Sequence, residues 1–213
     1  MSADHSWICL SGLGAQEMLG LAGLEETGEV GSPLAEEDGF SYTSLADGRL
    51  VLFANCFDLH HEELLEQLSR SGELMLCSFS DDMDEPSASL AVLRKGSAMW
   101  QVQATADSLS VWGEAPPELS ELNQRFNESI NEDRRMMDEM LFALAERLCG
   151  FRHDRAGDFR MLRRLPNSPL VPVPDGSRAS KMLGTIWWTL KMWQFWALVA
   201  WFFLLFFLAP YNR

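Results

Sequence analysis

The densest group of chemically capable side chains is Cys56, Asp58, His60, His61 and Glu62. A thiol beside an imidazole is a nucleophile with its base, the pairing that covalent catalysis uses. The same residue types ligate zinc. The spacing favours neither use. Catalysis needs a third group to orient the base, and none is identifiable. The five residues also fall across a strand–helix junction, so they need not face one another. Zinc ligation wants Cys-x2-Cys or His-x3-His, and neither occurs. Two histidines at a helix start are expected to be solvated.

Asp81, Asp82, Asp84 and Glu85 invite a calcium reading. An EF-hand loop alternates carboxylates around a central glycine and closes on a distant glutamate. Here Pro86 takes the third alternating position and the glycine is missing. Ser11-Gly12-Leu13-Gly14 lacks the Gly-Lys-Ser/Thr of a P-loop and the third glycine of a dinucleotide turn. No catalytic residue, metal site or cofactor is expected, and the chain reads as a non-enzyme.

Charge points elsewhere. The chain has 17 Lys and Arg against 31 Asp and Glu, a formal charge of −14. An acidic chain lacks the basic face that displaces counterions from phosphates, so nucleic acid is not an expected partner. The average hides an asymmetry. Residues 1–149 hold 28 acids and 8 bases, whereas residues 150–213 hold 3 acids and 9 bases. The acidic stretches Glu25–Asp38 and Asp81–Glu85 are either ordinary solvated surface or a face complementary to a basic protein, which would speed its approach. Glu36, Glu37, Asp38, Asp81, Asp82, Asp84 and Glu85 are the candidate partner-binding residues. Arg152, Arg155, Arg160, Arg163 and Arg164 read either as contacts to anionic lipid, at about 1 kcal/mol each near a bilayer surface, or as salt bridges to the acidic body.

Met192–Ala209 is an 18-residue run without charge. At about 1.5 Å per residue it covers ~27 Å of a hydrocarbon core about 30 Å thick. Trp187, Trp188, Trp193 and Trp196 suit an interfacial belt, Trp201 lies within the run, and Lys191 can snorkel. Arg178, Lys181 and Lys191 flank its N-terminal side, preceded by Arg160, Arg163 and Arg164, against Arg213 beyond it. The positive-inside rule then predicts a single-pass, tail-anchored protein with the body in the cytoplasm, at a bacterial inner membrane. Cys9, Cys56, Cys77 and Cys149 show no paired spacing and are expected as reduced, buried thiols.

The body must hold these features in place. Strands are expected at Ser6–Leu10, Gly39–Leu45, Arg49–Cys56, Glu73–Ser80, Ser87–Arg94, Ala98–Ala104 and Ser108–Trp112. Asp47-Gly48 and Lys95-Gly96 mark hairpins. Helices are expected over Gly14–Leu24, over Leu59–Ser69 capped by Asp58, from Pro116-Pro117 to about Ile130, and up to Cys149, with Gly150 as C-cap. Glu25–Asp38 reads as a loop. The order implies an α+β domain with a mainly antiparallel sheet and packed helices, plus one C-terminal transmembrane helix. The predicted organisation is a domain over 1–155, a basic proline-containing linker over 156–181, the membrane segment over 182–209 and an external tail over 210–213.

The Arg49–Cys56 strand, Leu64–Leu68, Glu73–Phe79, the Trp100 strand and the helix ending in Gly150-Phe151-Arg152-His153-Asp154 together resemble a group of proteobacterial α+β proteins found near secreted polymorphic toxins. That resemblance spans about residues 1–155 and implies an immunity role: a protein that neutralises a cognate toxin by binding it. It supplies no catalytic residues. The C-terminal span and the acidic stretch near Glu25–Asp38 depart from the group. The expected partner is therefore a protein, with a subunit role in a larger secretion or defence complex as the alternative.

Overall fold

The computed structural model describes residues 4–33, 39–55, 59–80, 87–105, 108–129, 136–152 and 158–170. The chain divides into two units, Met1–Pro172 and Val173–Arg213, and the second lies outside the described residues. In chain order the elements are β1 (Asp4–Leu10), α1 (Ala15–Ala22), β2 (Leu24–Gly31), β3 (Phe40–Ser44), β4 (Leu50–Asn55), α2 (Glu62–Ser69), β5 (Glu73–Ser80), β6 (Ser87–Arg94), β7 (Ser97–Thr105), β8 (Leu109–Gly113), α3 (Pro117–Ser129), α4 (Met136–Cys149) and β9 (Phe159–Arg164). The strands form one sheet in the order β2-β9-β3-β4-β1-β5-β6-β7-β8. Every pairing is antiparallel.

The sheet is apolar on both faces at its centre. Every residue of β4 is buried, because a strand covered on both sides has no solvent face for polar residues. One side packs Ile8, Leu10, Leu52, Leu74 and Leu76 against Met18 and Leu19 of α1 and Leu64, Leu65 and Leu68 of α2. The other packs Trp7, Val51, Phe53, Leu90 and Val102 against Leu119 and Leu122 of α3 and Met140, Leu141 and Leu144 of α4. Leu141 and Leu144, close to one helical turn apart, thus lie on the buried face of α4.

Local signals act as their chemistry requires. Gly48 adopts φ 85°, and the β6–β7 turn places Lys95 and Gly96 at φ 52° and 76°, the positive values a tight hairpin needs. Gly150, at φ 73°, closes α4 and donates its N–H to Glu146 O at 2.7 Å. The cap of α2 differs from expectation. The helix starts at Glu62, and His61 caps it by accepting from the Leu64 N–H at 3.4 Å.

Two further strands correct the sequence reading. Glu25–Asp38, expected as a loop, contributes β2, and the stretch expected as a linker from 156 contributes β9. Each is only half-buried or irregular alone. Together they pair with one another and, through β9, with β3. The compact unit therefore runs to 172 rather than 155. Arg160, Arg163 and Arg164 sit inside the fold's pairing: Arg160 bridges Glu26, Arg163 bridges Glu25, and Arg164 donates to Leu170 O at 2.9 Å. Arg152 bridges Glu139. Arg152, Arg160 and Arg163 thus form ion pairs with the body and Arg164 bonds a carbonyl, while Arg155 lies outside the described residues. Among the described residues no helix is long and apolar enough to cross a membrane; Met192–Ala209 lies outside them.

Candidate functional site

The acidic candidates Glu36, Glu37, Asp38, Asp81, Asp82, Asp84 and Glu85 lie outside the described residues, as do Trp187, Trp188, Lys191, Trp193, Trp196 and Trp201. So do Cys56 and Asp58. The remaining members of that first cluster take separate tasks. His61 caps α2, Glu62 stands in its first turn, and His60 Nε2 lies 2.6 Å from Ser78 Oγ on β5. Among the described residues no group of three or more His, Cys, Asp or Glu side chains is placed to hold a metal ion.

A polar corner forms where β2, β9 and β3 meet. Tyr42, 4% exposed, donates its hydroxyl to Glu26 Oε1 at 2.6 Å, and Arg160 Nη1 donates to Glu26 Oε2 at 3.2 Å. The Arg160 guanidinium lies 5.9 Å from the Tyr42 ring centroid, within cation–π range. The Tyr42 hydroxyl, followed by Arg160, holds the Glu26 carboxyl below its ordinary value. Burial, then Glu26, pushes the Tyr42 hydroxyl up, and Glu26 also raises Arg160. Every shift reinforces the charge state each group already has near neutrality. The corner joins the three strands through these charged and hydrogen-bonded side chains. Two open hollows of about 520 Å³ adjoin it and share Gln16, Glu26 and Arg160.

The far end of the sheet is different. α2 packs on β5 and β6, and α4 packs on β5, β6 and β7. On the α2 side, alternation puts Gln101 and Gln103 of β7 beside Trp112 and Ser110 of β8, in the register Gln101↔Trp112 and Gln103↔Ser110. Gln103, Ser110 and Trp112 are exposed. Trp112 is 39% exposed, Val111 on the opposite side of β8 is 49% exposed, and Met99 nearby is 48% exposed. Met99 lies in the register shift opposite Val92–Leu93, with its carbonyl against Gly113; a Cβ there would come within 2.3 Å of Met99 O. Gly113, at φ 77°, thus lets the edge close onto β7.

The two sheet edges are unlike. β2 carries Glu25, Glu26 and Glu29, a register shift and a glycine at φ 86°, features that discourage a further strand. β8 reads Leu-Ser-Val-Trp-Gly, with no charge and no proline. Among the described residues no strand pairs with its outer side. Sequence reasoning found this strand but not its place at the edge of the described sheet. The signal was available: it is the last strand of a hairpin series and it has no charged residue. Comparison with protein-family models, curated proteins and solved structures returns no match for the chain.

Proposed function

We propose that this chain is a protein-binding domain of the immunity type, which neutralises a bacterial toxin by docking on it and is held at the inner membrane by the apolar helix over 182–209. The observation that carries the binding role is β8: an uncharged edge with Trp112 on one face and Val111 on the other, beside Met99 and a row of Gln and Ser side chains. Exposed Trp and Met supply the contact area that dominates interface energies, and short polar side chains supply adaptable hydrogen bonds around them. A free edge adds main-chain bonds that need no particular side chain, as in strand addition. The membrane role rests on the uncharged length of Met192–Ala209. The acidic residues Glu36, Glu37, Asp38, Asp81, Asp82, Asp84 and Glu85 would speed the approach of a basic toxin to the chain by long-range attraction.

The test is whether a neighbouring gene encodes a secreted toxin that this chain binds and against which it protects growing cells. Trp112→Ala and Val111→Lys should each weaken binding roughly 30-fold, about 2 kcal/mol for a central anchor, and abolish protection of growing cells, with far-UV circular dichroism unchanged. Neutralising Asp81, Asp82, Asp84 and Glu85 together should slow association and flatten its salt dependence. Undiminished binding and protection in both β8 variants would refute the assignment. A stable multi-chain complex in mild detergent that forms without any toxin would favour the subunit reading instead.

A further inference from the structure

Cys9 and Cys149 are 140 positions apart, yet the fold makes them neighbours. Cys9 is in β1 at the middle of the sheet, and Cys149 ends α4 on the face above it. Contacts on either side fix the approach. Trp7, two residues before Cys9, packs edge-on against Phe151, two residues after Cys149, with ring centroids 5.0 Å apart. Arg49, beside the start of β4, donates to Leu148 O at 2.8 Å. Val51 of that strand is the register partner of Cys9. Both thiols belong to the same buried cluster, and Cys149 Sγ lies 3.8 Å from Phe151 O. Both are free and nearly closed to solvent, at 3% and 2% exposure.

We infer that Cys9 and Cys149 are a reversible dithiol–disulfide pair, oxidised by a small hydroperoxide and reduced by cellular thiols. Neighbouring Cys9 holds the Cys149 thiol below its ordinary value against the opposing effect of burial, and Arg49 adds to the lowering. Burial alone pushes the third described thiol, Cys77, up to about 12, so it stays protonated. The Cys149 thiolate attacks one oxygen of hydrogen peroxide. The O–O bond breaks, Cys149 becomes a sulfenic acid, and the departing hydroxide takes a proton to leave as water. Cys9 then attacks the Cys149 sulfur, the S–S bond forms and the S–O bond breaks. The Cys9 proton leaves with the hydroxyl as a second water. Two thiols and one peroxide give one disulfide and two waters. Peroxide is close to water in size, as a site this closed requires; a glutathione disulfide would have to open the end of α4 first. The bond ties the middle of the sheet to the end of the helix layer on that face, and it does not depend on the proposed partner.

The experiment uses the full chain, purified reduced in mild detergent and treated with stoichiometric hydrogen peroxide. The protein is then denatured, alkylated and mapped by mass spectrometry. The expected result is a loss of two hydrogens, about 2 Da per chain, with a peptide containing Cys9 joined to one containing Cys149 as the dominant product, reversed by dithiothreitol. Cys77→Ser should leave that link in place, whereas Cys9→Ser and Cys149→Ser should each remove it. Full alkylation of all four cysteines after peroxide, or dominant linkage through Cys56 or Cys77, overturns the inference. The wild-type map decides the matter even if a serine variant fails to fold.

Discussion

Replacing Phe159 with alanine tests whether the segment after residue 155 belongs to the domain. The ring is 1% exposed and lies edge-on to Phe53 at 6.5 Å and Phe151 at 5.9 Å between centroids. Truncating a buried phenylalanine leaves a cavity and costs about 3–5 kcal/mol. Loss of two aromatic contacts, each worth ~0.5–1.5 kcal/mol beyond area, places the expected value at the middle of that range or above, ~4 kcal/mol. With a urea slope of ~2 kcal/mol/M for a domain of this size, the midpoint should fall by ~2 M. Arg163→Ala is the control on the same strand. Its side chain is 69% exposed and its ion pair with Glu25 is a surface one, so the change should stay below about 1 kcal/mol, or ~0.5 M. The assay is urea unfolding of the full chain in non-ionic detergent, followed by tryptophan fluorescence and far-UV circular dichroism. If Phe159→Ala moved the midpoint no further than Arg163→Ala, β9 would carry no core, and the linker reading of 156–181 would stand over the sheet described above.

Two other outcomes follow from the same structure. Glu26 is held below its ordinary value of 4.5, first by the Tyr42 hydroxyl. A lowered folded value contributes stability that is complete above the unfolded value and is lost as pH falls through the folded one. Melting temperature should therefore drop on acidification below pH 4.5, and Glu26→Gln should flatten that descent; parallel curves for the two proteins would remove the corner from the account. Ser41 is 1% exposed on β3, and among the described residues its hydroxyl has no hydrogen-bond partner. Ser41→Ala should leave stability unchanged or raise it by up to ~1 kcal/mol, because it removes a desolvated group that nothing satisfies. Calorimetry showing a loss above about 1 kcal/mol would mean the hydroxyl is engaged after all.

Much of the fold was legible locally. Asp47-Gly48 and Lys95-Gly96 mark their hairpins because only certain residues tolerate positive φ. Leu64, Leu65 and Leu68, and Leu141 with Leu144, mark buried helix faces because the helical period is fixed. The uncharged length of Met192–Ala209 is likewise a property of composition alone. β2 and β9 were not legible. Leu24–Gly31 is dense in glutamate and glycine, Phe159–Arg164 is dense in arginine, and neither alternates strongly enough to stand as a strand by itself. They become strands by pairing across more than a hundred residues, where Glu25 meets Arg163 and Glu26 meets Arg160. The same distance hid the shared burial of Cys9 and Cys149 and the exposure of Trp112, since the edge of the described sheet is set by which strands pair. The sequence by itself determined the strand and helix units, the acidic body and the apolar C-terminal run, because propensity, turn chemistry and hydropathy act over a few residues. Only the tertiary structure decided which charges cancel, which thiols share a core and which strand stands at the edge of the described sheet, because those depend on neighbours the chain brings together from far apart.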